Sequence, residues 1–130
     1  MSGLILAAPT SGAGKTTVTL GLLRALKSAG RVVRSAKSGP DYIDPQFHAA
    51  ATGSPCINLD SWAMTEARIK SLASGRGDLI IEGAMGLFDG APPDGKGSTA
   101  DLARILDLPV VLIVDAKAMS QSVAALVSGF

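Results

Sequence analysis

Gly14, Lys15 and Thr16 stand together in the stretch APTSGAGKTT (residues 8 to 17), behind a short apolar run and ahead of a helical pattern. Such a stretch does phosphate chemistry. Backbone N–H groups of a glycine-rich loop and of the helix N-terminus surround a phosphate, a lysine neutralises charge at the β/γ position, and the hydroxyl that follows binds magnesium. Lys15 and Thr16 take the two side-chain roles, and Ser11, Gly12, Ala13, Gly14 and Thr17 complete the loop. The usual pattern opens with glycine where this one has Pro9. Proline can end the incoming strand, while Gly12 and Gly14 keep the backbone freedom needed beside phosphates.

Phosphoryl chemistry also needs carboxylates to hold the metal. Two apolar runs end in one: LIIE at Glu82 and LIVD at Asp115. Glu82 leads into GAMGLFDG, whose glycines let backbone approach a ligand, and is the favoured magnesium partner. Asp115 leads into AKAMSQS, a helix-start pattern in which an acid can equally serve as an N-terminal helix charge. A second acidic stretch, KSGPDYIDP (residues 37 to 45), carries Lys37, Asp41, Tyr42 and Asp44 at the end of a second expected strand, RVVRSAK. It could aim a carboxylate at magnesium and a lysine at phosphate, although Asp and Pro also build turns unaided. Spacing leaves open which of Asp41 and Asp44 meets the metal. His48 has no metal-ligand partner at useful spacing and reads as structural or as support for other side chains. Cys56, in GSPCIN, lacks the setting of a nucleophile and reads as buried packing.

The elements that must position these groups alternate. Residues 3 to 8, 31 to 37, 78 to 82 and 109 to 115 read as strands. Residues 15 to 29, with Gly30 as C-terminal cap, a short segment begun by Pro45, residues 65 to 74 and residues 99 to 107 read as helices, and a further helix is expected after the last strand. Near-continuous apolar strands between helices predict an α/β fold: an open, mostly parallel sheet with helices on both faces, of the P-loop NTPase type, with ligands at the carboxyl ends of the strands. An open sheet of this kind usually exceeds four strands, so an incomplete domain is expected.

Composition narrows the function. The 130 residues are 47% hydrophobic and 18% charged with a net charge of +1, which describes one compact unit or part of one. Aromatics at 4% and the near-neutral charge argue against a nucleic-acid surface, which needs a basic stripe or stacking platform. The longest apolar runs are strand-length and no charged leader precedes the first, so no membrane partner is expected and the chain reads as cytoplasmic. One cysteine fits a reducing compartment.

In this order and spacing, APTSGAGKTTVTLGLL, KSGPDYIDPQFH and IIEGAMGLFDG resemble the N-terminal synthetase domain of the cobyrinic or hydrogenobyrinic acid a,c-diamide synthases of corrin biosynthesis. The resemblance covers nearly the whole chain, and the second and third motifs are more specific than the first. It implies an ATP- and Mg2+-dependent ligase that phosphorylates the a and c side-chain carboxylates of a corrinoid and lets ammonia from glutamine displace the phosphate. It further implies Lys15, Lys37 and the loop for ATP, Thr16 and Glu82 with Asp41 or Asp44 for magnesium, and Tyr42, Asp44 and Asp89 beside the corrinoid carboxylate and the acyl phosphate. Residues 1 to 130 would then be the N-terminal part of the synthetase domain, without the C-terminal glutaminase domain and with little glutamine-dependent activity alone. Relatives often pair across their nucleotide sites, so a homodimer is in keeping. The wider superfamily supplies two alternatives: a MinD/ParA-type nucleotide-switch ATPase, which usually carries an extra lysine where this chain has Thr10, and a dethiobiotin synthetase-like ligase, which lacks the GPDYIDP pattern.

Overall fold

The computed structural model describes residues 2–130. Strand β1 (Gly3–Ala7) leads through the glycine-rich loop into helix α1 (Lys15–Ser28). Then come β2 (Val33–Ser38), α2 (Asp44–Thr52), β3 (Cys56–Leu59), α3 (Glu66–Ala73), β4 (Asp78–Glu82), α4 (Thr99–Leu106), β5 (Val110–Leu112) and α5 (Val123–Ser128). All strand pairs are parallel, in the order β3-β2-β4-β1-β5. The expected α/β class and parallel sheet are therefore present, with one strand more than the sequence pattern resolves. CINL is only four residues long and three of them are half-buried, so β3 lacks the apolar run that marks β1, β4 and β5.

Alternation along the strands divides the core in two. Ile5, Leu79 and Ile81 join Leu59, Ile69 and Leu102 on the face covered by α3 and α4. Leu6, Ile80 and Val33 join Leu23 on the face covered by α1. A parallel strand buried on both faces carries apolar residues at every position, as LILA and LII do here. Each fully buried Leu or Ile contributes on the order of 1.5–3 kcal/mol relative to exposure. The sheet is tightly drawn at Gly3, where an added Cβ would lie 2.3 Å from the Leu79 carbonyl oxygen on the neighbouring strand.

Helix ends follow local chemistry. Thr65 caps α3 by accepting from the Arg68 N–H, and Ser98 with Asp101 forms a reciprocal capping box at α4. Pro45 sits in the first turn of α2, where its missing N–H costs nothing, and Gly53 ends that helix in the left-handed region. Residues 116 to 122, expected to open a helix, form turns instead; α5 begins only at Val123 and buries none of its side chains. No helix among the described residues is long and apolar enough to cross a membrane.

Candidate functional site

Strand register brings the first pair of functional groups together. In the β2–β4 ladder Lys37 is the direct partner of Glu82, so both side chains project to the same face, the one that α1 covers. The β4 strand lies at the centre of the sheet, and loops from both neighbours close over its carboxyl end. Thr16, in the first turn of α1, donates from Oγ1 to Glu82 Oε1 at 2.6 Å. Lys37 Nζ reaches the same oxygen at 2.9 Å and Asp44 Oδ2, at the start of α2, at 2.7 Å. The other oxygen, Glu82 Oε2, accepts from His48 Nε2 at 2.6 Å, and Cys56 Sγ lies 3.4 Å from His48 Nδ1. Glu82 and His48 are both fully buried.

The loop ahead of α1 has the conformation that phosphate binding demands. Gly12 and Gly14 have φ of 78° and 96°, in the left-handed region that favours glycine. The Lys15 ammonium donates to the Met85 carbonyl at 2.8 Å and to the Thr10 carbonyl at 3.3 Å. Ser11, Gly12, Gly14, Lys15, Thr16 and Thr17 line one side of a cavity of 360 Å3, with Lys37, Asp44, Glu82 and Met85 opposite. A neighbouring cavity of 290 Å3 shares Met85 and includes Asp89 and Trp62 among its walls.

Charges in the cluster are balanced by contact. Burial works against the Lys37 charge, but hydrogen bonds to Asp44 and Glu82 outweigh it and hold the pKa above the ordinary lysine value. Burial would likewise raise the Glu82 carboxyl, yet hydrogen bonds from His48, Thr16 and Lys37 bring it down to about 2. For His48, burial lowers the pKa and the bonds to Cys56 and Glu82 more than reverse this, to about 9. Lys15 moves the other way, lowered by burial and by the nearby Lys37 charge. It therefore sits beside a cavity with carbonyl partners only, a cation that an incoming phosphate can claim.

These groups fit a nucleotide with magnesium. Mg2+ takes oxygen ligands and is usually held by one or two carboxylates and a hydroxyl together with the phosphates themselves. Thr16, Glu82 and Asp44 offer that set: Thr16 Oγ1 meets Glu82 Oε1, and Asp44 reaches the Lys37 ammonium that shares this oxygen. Among the described residues no three His, Cys, Asp or Glu side chains gather as an all-protein metal cage, the arrangement that Zn2+ would require.

Of the other residues singled out by sequence, Asp41 stands one step back. Its Oδ1 accepts from the Ile43 and Asp44 N–H groups, and its Oδ2 is 3.8 Å from Lys37 Nζ. The acid that faces the cavity is Asp44. Asp89 Oδ2 accepts from the Gly86 N–H and so shapes the loop that carries Met85. Tyr42 projects into solvent, 84% exposed, and Ala13 does not line the phosphate-side cavity. Asp115 is exposed and accepts from the nearby Lys117 N–H, and since α5 begins only at Val123 it is not an N-terminal helix charge. Cys56 is half-buried on β3 beside the His48 ring rather than packed in the core, because β3 is an edge strand. Sequence reasoning missed the reach of His48 into Glu82; the available signal was the four-residue spacing from Asp44, which puts both on one face of a helix.

Comparison with known proteins supports the nucleotide part of that reading. The family model for the CobQ/CobB/MinD/ParA nucleotide binding domain matches residues 4–130. The chain belongs to that family. Within it, the chain is similar to proteins named hydrogenobyrinate a,c-diamide synthase: 62% identical over 135 residues to that of Brucella suis, 60% over 134 residues to that of a Sinorhizobium species and 56% over 134 residues to that of Rhizobium meliloti. Each alignment covers 100% of this chain and 31% of the relative, so the chain spans about a third of their length. For a CobQ/CobB/MinD/ParA nucleotide-binding domain the glycine-rich loop, the cavity it lines and the acids opposite are where the nucleotide would be expected.

Proposed function

We propose that this chain is the ATP-binding part of an a,c-diamide synthase of cobalamin biosynthesis, which amidates the a and c side-chain carboxylates of cobyrinic or hydrogenobyrinic acid. The observation that carries the reading is the 62% identity, over the whole chain, to relatives named for that reaction. The site geometry supports the chemistry. A carboxylate is a poor acyl donor because oxide is a poor leaving group. Transfer of the γ-phosphoryl group cures this: a bond forms between a carboxylate oxygen and the γ-phosphorus, the bond to the β–γ bridging oxygen breaks, and ADP departs. Ammonia then adds to the acyl carbon, phosphate leaves and a proton is lost, giving the amide.

The residues divide the work. Amides of residues 11 to 17 and the Lys15 ammonium hold the β- and γ-phosphates, the lysine exchanging the Met85 carbonyl for phosphate oxygens. Thr16, Glu82 and Asp44 would hold Mg2+, which when bound neutralises the charge of two anions brought together. Lys37, paired with the same two carboxylates, adds a second cation beside the metal position. Asp89 and Tyr42 are assigned to the acceptor side, Asp89 because it lies in the cavity that shares Met85 with the phosphate side and Tyr42 on the resemblance of its motif alone. Ammonia would come from a glutaminase domain in the remaining length that the relatives have and this chain does not span. Alone, the 130 residues should make little or no amide from glutamine. We assign the reaction to the cytoplasm and regard pairing of two copies across their nucleotide sites as compatible with it.

The test is a calorimetric titration of Mg-ATP into the chain, with and without hydrogenobyrinic or cobyrinic acid, for the parent and Asp44→Ala. The reading expects tighter binding of the corrinoid acid in the presence of nucleotide and a loss of that gain in Asp44→Ala. Nucleotide binding with no response to either acid would overturn the substrate assignment, and glutamine-dependent amide formation by the 130-residue chain would overturn the division of labour.

A further inference from the structure

We infer that His48 is a positioning residue for Glu82: by engaging Oε2 in a buried hydrogen bond, it leaves Oε1 as the oxygen that faces Thr16 and a bound cation. The inference rests on reading the loop as a magnesium–nucleotide site. A glutamate carboxylate turns readily about its last torsion, so in a buried site its orientation is set by its partners. Oε1 has two, Thr16 Oγ1 at 2.6 Å and Lys37 Nζ at 2.9 Å; Oε2 has His48 Nε2 at 2.6 Å. Without the imidazole, Oε2 would be left buried with no donor, a costly state. A donor already on that carboxylate is Lys37, 2.9 Å from Oε1. Sharing that ammonium between both oxygens would rotate the carboxylate away from Thr16 and draw Lys37 off Asp44.

The imidazole is itself fixed from behind. Its ring is fully buried, Cys56 Sγ lies 3.4 Å from Nδ1, and its backbone carbonyl accepts from Thr52 Oγ1 at 3.0 Å. His48 follows Asp44 by one helical turn, so a single face of α2 grips the Lys37–Glu82 pair twice, Asp44 through the lysine and His48 through the carboxylate. Groups that orient a metal ligand from behind typically change metal affinity by about 10–100-fold when removed. Loss of His48 should therefore act on magnesium while sparing the nucleotide.

The experiment is a Mg2+ titration of the full chain saturated with ADP, followed by calorimetry, beside a metal-free ADP titration. Removing the ring in His48→Leu should weaken Mg2+ by about 10–100-fold, with metal-free ADP affinity within about twofold of the parent. His48→Gln, whose amide N–H can donate to Oε2, should restore most of the loss. In a Glu82→Gln background His48→Leu should add nothing, because the effect runs through that carboxylate. Unchanged Mg2+ affinity in folded His48→Leu, or an undiminished loss in the Glu82→Gln background, overturns the inference. Thr16→Ala tells the two readings apart: if it too binds Mg2+ like the parent, the metal reading falls and this inference with it, whereas loss in Thr16→Ala but not in His48→Leu removes the inference alone. Should His48→Leu not fold, 15N signals of the His48 ring in the parent decide, since Mg2+ added to the ADP complex must shift Nε2, and a stationary signal overturns the role.

Discussion

Glu82 and Asp115 each close an apolar run, and one is buried at the heart of a polar cluster while the other lies in solvent beside a turn. The difference comes from where their strands lie. β4 is central, flanked by β2 and β1, so Lys37 from β2, Thr16 from the helix after β1 and His48 from the helix after β2 all reach its carboxyl end. β5 is at the edge, beside β1 alone, and only half-buried through most of its length. A strand-end acid acquires chemistry from its lateral neighbours, and the run that precedes it says nothing of them.

The largest expected effect tests that contrast directly. Glu82→Ala leaves Lys37 and the His48 ring buried without their common partner, and breaking a buried pair in this way costs about 3–5 kcal/mol of stability, read as a drop in the urea midpoint. Next comes Lys15→Ala. Replacing one charge-assisted bond to phosphate should cost about 1.5–3 kcal/mol of nucleotide affinity, roughly 10- to 100-fold by calorimetry, with little change in folding.

Acidity supplies a third probe. The His48 pKa is raised from 6.5 to about 9, so its contribution is complete below about pH 6.5 and is lost as pH rises through 9. The Glu82 pKa is lowered from 4.5 to about 2, so its contribution is complete above about pH 4.5 and is lost as pH falls through 2. Stability from this pair should peak between those limits, and Glu82→Gln should flatten both limbs of a midpoint-against-pH curve. Smaller still, Ser98→Ala removes the cap of α4 for about 1 kcal/mol, and Asp115→Ala should stay within about 0.5 kcal/mol of the parent.

Much of this was legible in the residues. Gly12, Gly14, Lys15 and Thr16 announce their loop because the chemistry is local: glycine torsions, a lysine and a hydroxyl at fixed offsets. Strands β1 and β4 are legible because burial on both faces writes apolar residues at successive positions, LILA in one and LII in the other. What was hidden depends on neighbours distant in sequence. The order β3-β2-β4-β1-β5 decides that Lys37 faces Glu82, and no pattern within either strand encodes it. That Asp44 and not Asp41 lines the cavity goes with the two N–H groups that Asp41 caps, and His48 acquires its partner only when α2 folds back over the β4 end. The edge strand β3 is too short and too exposed to carry a pattern at all.

Met85 has a consequence of a different kind. Its carbonyl holds the Lys15 ammonium while its side chain helps wall both cavities, and the second of these also contains Trp62, the only tryptophan in the chain, 65% exposed. When Lys15 lets go of that carbonyl, the wall beside the indole loses its tether. The chain thus comes with its own optical label: intrinsic fluorescence near Trp62 should register whether the lysine holds backbone or phosphate, with no dye attached.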